Sequence, residues 1–186
     1  MDNFEPATVS QARALGEVQR LVDRFPRVEH DLFLTGDPGV GKTHLAVAAL
    51  LELLQRFHDG LLFTDSSALL DIQSIGAQSA AEGCQRMKTA SLLVLDDLNP
   101  ELLNDGIWTF LSEIHSSRRR AGKPTIVTAG RIMSGKAAAD PGKNINGDIV
   151  TYPSRFQRRF LMQWMSCART VVMCGEDRRH CPVSLF

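Results

Sequence analysis

The run Gly36-Asp37-Pro38-Gly39-Val40-Gly41-Lys42-Thr43 constrains this chain more than any other eight residues. It matches the pattern G-x-x-x-x-G-K-[ST], and its surroundings are those the pattern requires. Before it, Asp31-Leu32-Phe33-Leu34-Thr35 is an apolar run of strand length. After it, His44 to Phe57 is rich in Leu and Ala and free of Pro and Gly. Glycines let the backbone curl until successive N–H groups converge on an anion. A helix starting near Lys42 adds the positive end of its dipole. Lys42 is expected to reach the outer phosphates of a triphosphate, and the Thr43 hydroxyl to bind Mg²⁺. The candidate cofactor-contacting residues are Gly36, Asp37, Pro38, Gly39, Val40, Gly41, Lys42, Thr43 and His44. A glycine turn with a solvent-facing lysine is the competing reading, and it leaves the flanking strand and helix unexplained.

The rest of the chain alternates between strand-like and helix-like runs. A helix is expected from Pro6 to Phe25, with Ala14, Val18, Leu21 and Val22 at helical spacing and Pro26 ending it. Strands are expected at 32–35, 61–64, 92–96, 124–128 and 170–174. Helices are expected at 44–57, at 67–88 with interruptions at Gly76 and Gly83, at 107–120 and at 154–166. Residues 133–153 are rich in Gly, Ala, Pro, Asn and Lys and read as a mobile surface loop. Such alternation predicts an α/β P-loop fold: a five-stranded parallel sheet flanked by helices, with ligands at the carboxyl ends of the strands. At 186 residues the chain is expected to form one domain spanning 1–186.

The strand Leu92-Leu93-Val94-Leu95-Asp96 is apolar throughout and delivers an acid pair, Asp96-Asp97, at its carboxyl end. That is the Walker B pattern. Asp96 is expected to hold Mg²⁺ with Thr43, since one lysine cannot balance a triphosphate. Asp97 is expected to act as general base or to position the attacking water. The alternative is that Asp97 caps the helix that follows.

Gly39-Val40-Gly41-Lys42-Thr43-His44-Leu45-Ala46 and Leu92-Leu93-Val94-Leu95-Asp96-Asp97-Leu98 resemble the AAA+ ATPases of the DnaC/IstB type, a group of replicative helicase loaders and transposase helper ATPases. Asn3-Phe4 ahead of the first helix, and Thr125-Ile126-Val127-Thr128, also resemble it. The likeness runs from about residue 3 to about 180. It implies an AAA+ base domain with little or no helical lid; the separate partner-binding domain that the group's loaders commonly carry ahead of it is not expected here. It also implies ATP with Mg²⁺ as cofactor, homo-oligomers with ATP at subunit interfaces, DNA binding, and a helicase or transposase as partner. Ser154-Arg155-Phe156-Gln157-Arg158-Arg159-Phe160 resembles the DnaA-type pattern Arg-Leu-x-x-Arg-Phe. Arg159, with Arg155 as the second choice, is then the arginine that reaches a neighbouring subunit's ATP. A solvated basic face is the plainer reading of both. Gly175-Glu176-Asp177-Arg178-Arg179 resembles the group's closing Gly-x-x-x-Arg segment. The chain departs from the group at strand four. Thr128-Ala129-Gly130 stands where a Thr-Ser-Asn run supplies a sensor asparagine, so either Thr128 substitutes for it or hydrolysis is slow.

Charge narrows the partners less. Lys and Arg number 21, as do Asp and Glu, so only local clusters such as Arg118-Arg119-Arg120 could track a phosphate backbone. No basic-then-apolar leader opens the chain, and no apolar run has membrane-spanning length, which points to no membrane partner. Four cysteines in such a chain suggest reduced thiols in a cytoplasm. Cys167, Cys174 and Cys181, with His180, fit no common zinc spacing, and Cys174 reads as a buried strand thiol. Three function classes remain: an ATP-hydrolysing assembly factor, an ATP-dependent regulatory module that does not turn over, and a small-molecule kinase. The long gap between Lys42 and Asp96, and the lack of an arginine-rich lid, argue against the kinase.

Overall fold

Each apolar run expected to be a strand is one. In the computed structural model, which describes residues 4–57, 60–74, 77–99, 103–130 and 155–177, the elements are α1 (Val9–Arg24), β1 (Leu32–Gly36), α2 (Lys42–Arg56), β2 (Leu61–Asp65), α3 (Ser66–Ser74), α4 (Ala77–Thr89), β3 (Leu92–Asp96), α5 (Asp105–Arg120), β4 (Thr125–Ala129), α6 (Arg155–Cys167) and β5 (Arg169–Met173). All five strands are parallel, in the order β2-β3-β4-β1-β5. The three inner strands, β1, β3 and β4, are buried at every residue. That is why apolar residues follow one another in them without a polar alternation, as in Leu32-Phe33-Leu34, Leu92 to Leu95 and Ile126-Val127.

Alternate side chains face opposite layers. Leu32, Leu34, Leu92, Val94, Ile126, Val171 and Met173 pack under α1 and α2. Phe33, Leu93, Leu95, Val127 and Ala129 pack against residues of α3 to α6, including Trp108, Leu111, Phe160 and Trp164. Thr8 caps α1: its hydroxyl accepts from the Gln11 N–H while the Gln11 side chain accepts from the cap backbone.

Three expectations fail. Gly83 does not interrupt a helix but lies inside α4, where the penalty of roughly 1 kcal/mol for a helical glycine is offset by Cys84 and Met87 packing into the core. Cys174 is exposed and follows β5 rather than lying in it. Arg118, read with its neighbours as part of a basic cluster, is 1% exposed. It donates to Thr125 Oγ1 and to the carbonyls of Met87, Ala90 and Pro124. Burial lowers its pKa to about 10, an effect opposed by the charge of Asp31. The segment 133–153 and Arg178, Arg179, His180 and Cys181 lie outside the described residues.

Candidate active site

The loop between β1 and α2 runs from Asp37 to Gly41 at the carboxyl end of an inner strand. Its glycines are obligatory for two separate reasons. Gly41, the N-cap residue of α2, has φ 98° and Gly39 has φ 71°, both in the region that L side chains rarely adopt. A Cβ on Gly41 would lie 2.5 Å from the Phe4 ring, and one on Gly39 would lie 1.8 Å from an Asp177 carboxylate oxygen. The loop is thus enclosed by the chain's opening segment on one side and by the segment after β5 on the other. No side chain caps the N-terminus of α2, and no acid lies in its first turn. A helix N-terminus without a side-chain cap suits an anion.

Lys42 curls back over this loop, and its ammonium donates to the carbonyls of Gly36 (3.0 Å) and Asp37 (2.6 Å). Asp37 N–H donates to Met173 O at 3.3 Å, tying the loop to β5. Val40 is fully buried and Pro38 exposed. Thr43 and His44 are exposed in the first turn of α2, and the His44 ring sits 5.6 Å from that of Phe4. All nine loop residues expected to contact nucleotide therefore lie in one continuous cradle.

The second half of the site is built by β3 and β4. Thr128 donates its hydroxyl proton to Asp96 Oδ1 at 2.6 Å and accepts the Asp97 N–H at 2.9 Å. The Thr128 carbonyl accepts the Leu98 N–H. Ser66, at the start of α3, donates to the Asp97 carbonyl at 2.6 Å and accepts the Asn99 N–H. Asp97 is held between them at φ 49°, the only non-glycine residue with positive φ among those described. A left-handed conformation costs an L residue about 1–2 kcal/mol, and such strain persists only where surrounding contacts fix it. Its side chain is exposed, while Asp96 is buried. The helix-cap alternative fails, because α5 is capped by Asn104, whose Oδ1 accepts the Ile107 N–H.

Thr128 is therefore a brace for the acid pair, its hydroxyl already committed to Asp96. Gly130 follows β4, and its carbonyl accepts from the Thr35 hydroxyl of β1. A Cβ on Gly130 would meet nothing within 4 Å. Ser66 is a contributor that sequence patterns alone do not single out, and Phe4, part of the resemblance, has a contact with the loop that no pattern assigns. Ser66 acts through an irregular backbone turn, and Phe4 through a loop distant in sequence.

Arg155 and Arg159 both lie on α6, which covers the sheet face opposite α2. Arg159 is exposed, and the Arg155 side chain lies outside the described residues. Phe160, Leu161 and Trp164 bury the other side of the helix. Trp164 Nε1 donates to Asp31 Oδ2 at 2.8 Å, which fixes the rotation of α6 and turns Arg159 outward.

No family model matches the chain. The replicative helicase loader DnaC of Escherichia coli (strain K12) is 26% identical to it over 127 residues, covering 67% of this chain and 52% of DnaC. The chain thus spans about half the length of the curated relatives it matches. A crystal structure of the DnaC helicase loader superposes with a TM-score of 0.70 at 27% identity, over 93% of this chain and 95% of that one. A DnaI structure gives 0.73 at 23% identity, over 96% and 89%. The chain is a homologue of the DnaC helicase loader, built on the AAA+ P-loop fold that it shares with DnaC and DnaI.

Proposed function

We propose that this chain binds ATP with Mg²⁺, assembles with copies of itself around that nucleotide, and uses the assembly to load or regulate a helicase on DNA. The observation that carries the reading is the pairing of an uncapped, glycine-shaped helix N-terminus with a braced acid pair on β3. ATP would lie along residues 36–44, with Lys42 leaving the Gly36 and Asp37 carbonyls for its outer phosphates. Thr43 and Asp96 would hold Mg²⁺, which supplies charge neutralisation at those phosphates. Thr128 keeps Asp96 oriented, and Asp97 stands exposed to accept a proton from water. An arginine supplied from another copy, Arg159 or Arg155, would stabilise charge developing on the terminal phosphoryl group, a contribution worth about 10³-fold or more. The outward position of Arg159 supports that reading.

Likeness to DnaC favours a helicase over a transposase as partner. DNA binding rests on exposed basic residues, Arg119 and Arg120 among them, and implies affinity that falls steeply with added salt. No helix among the described residues is long and apolar enough to cross a membrane, and a cytoplasmic site of action suits the reading.

A second reading, an ATP-bound regulatory module with little turnover, is favoured by Gly130 and by the committed Thr128 hydroxyl. Mass measurement in solution with Mg²⁺ and ATP, with and without DNA, tests the main proposal, and steady-state phosphate release separates the two. Assembly that requires nucleotide, with phosphate release, supports the loader. Assembly without release supports the module. A mass unchanged by nucleotide and DNA contradicts both.

A further inference from the structure

Gln11 is 1% exposed and sits in the first turn of α1, far in sequence from the phosphate loop. Its Oε1 accepts the N–H groups of Ala7 (2.8 Å) and Thr8 (3.1 Å), which completes the capping box of α1. A glutamate would serve that purpose equally well, because the box needs only an acceptor at this position. What glutamate lacks is the amide donor. Gln11 uses that donor on Val40 O at 3.2 Å, in the middle of the phosphate loop.

This bond fixes the direction of a group that matters for phosphate. The peptide unit joining Val40 to Gly41 is planar and trans, so its C=O and N–H point in opposite directions. Holding the Val40 carbonyl toward α1 turns the Gly41 N–H away from α1, at the entrance to α2. The same corner is secured from the C-terminal side. Thr8 Oγ1 (3.0 Å) and Ser10 Oγ (3.2 Å) donate to Cys174 O, and a Cβ on Gly175 would lie 3.3 Å from Gln11 Nε2. We infer that Gln11 is a positioning residue for the nucleotide: its side-chain amide sets the orientation of the Val40–Gly41 peptide and so preorganises the loop for phosphate. This rests on the proposed ATP-binding role.

The test separates positioning from simple support of α1. Mg-ATP affinity by calorimetry and the unfolding midpoint without nucleotide are measured for the wild-type chain and for Gln11→Glu, Gln11→Met, Thr8→Ala and Lys42→Ala. Loss of one buried hydrogen bond at the loop should weaken Mg-ATP binding about 5- to 20-fold in Gln11→Glu and Gln11→Met. Thr8→Ala removes the cap hydroxyl yet leaves the Val40 bond, so it should lower the midpoint while holding affinity within about twofold. Where Gln11→Glu does not fold, Gln11→Met carries the test. Wild-type affinity in the Gln11 variants overturns the inference, as does an affinity loss in all three variants that merely tracks lost stability. A wild-type chain that binds no better than Lys42→Ala instead overturns the ATP-binding proposal, and this inference with it.

Discussion

At the amino ends of the strands, Asp31 spends both carboxylate oxygens inside the protein: Oδ1 on the Thr125 N–H and Oδ2 on the Trp164 indole, with His115 Nδ1 3.5 Å away. Arg118 beside it spends its guanidinium on three carbonyls and a hydroxyl. At the carboxyl ends the same residue types are arranged differently. Asp97 carries backbone strain yet leaves its carboxylate in solvent. The first turn of α2 has no side-chain cap. Polar groups at one end are consumed by the fold, whereas at the other the fold holds Asp97, Thr43 and His44 exposed. Stability and chemistry are therefore expected to respond to different substitutions.

The largest effect should come from Asp97→Asn. Removing a general base costs about 10²- to 10⁴-fold in rate, so steady-state phosphate release should fall by that order. Stability should hold or rise slightly, because Asn tolerates positive φ well. An unchanged rate would break the contrast by making Asp97 another structural acid.

Next is Arg118→Met, which keeps the aliphatic bulk and removes the donor to the Met87, Ala90 and Pro124 carbonyls. The expected loss is about 2–5 kcal/mol, since each buried acceptor left without its donor costs about 1–3 kcal/mol, read by urea unfolding. Mg-ATP affinity at a temperature where the variant is folded should be unchanged. Altered affinity would show that the two ends are coupled.

The smallest effect, and the one of opposite sign, is expected from Gly130→Asn. Open space around the Cβ position lets the new amide enter without repacking. Phosphate release should rise several-fold if a missing sensor group limits it, on the order of one added hydrogen bond to the reacting centre. No gain would place the limit elsewhere.

Much of this molecule is legible in its sequence, and the legible part follows from local physics. The phosphate loop was readable because only glycines allow the backbone of Gly39 and Gly41, and because Lys-Thr at a helix start has few structural uses. The inner strands announce themselves by runs of apolar residues without alternation, Leu32-Phe33-Leu34 and Leu92 to Leu95 most clearly. What escaped is tertiary. Arg118 reads as one of three surface arginines until Met87 of α4 and Pro124 ahead of β4 supply carbonyls for it. Gly83 reads as a helix breaker until Cys84 and Met87 are seen in the core. Thr128 reads as a substitute sensor, and only the fold shows that its hydroxyl also donates to Asp96. Gln11 and Ser66 carry no motif at all, since their partners Val40 and Asp97 are distant in sequence.

The central claim is that the loop at 36–44 is a triphosphate cradle completed by Lys42. Calorimetric titration of the wild-type chain and of Lys42→Ala with Mg-ATP tests it most directly. Charge-assisted hydrogen bonds contribute about 1.5–3 kcal/mol, so Lys42→Ala should bind roughly 10- to 100-fold more weakly than wild type, with an unfolding midpoint little changed in the absence of nucleotide. Equal affinity in the two proteins, or no binding of any purine triphosphate by the wild type, would contradict it.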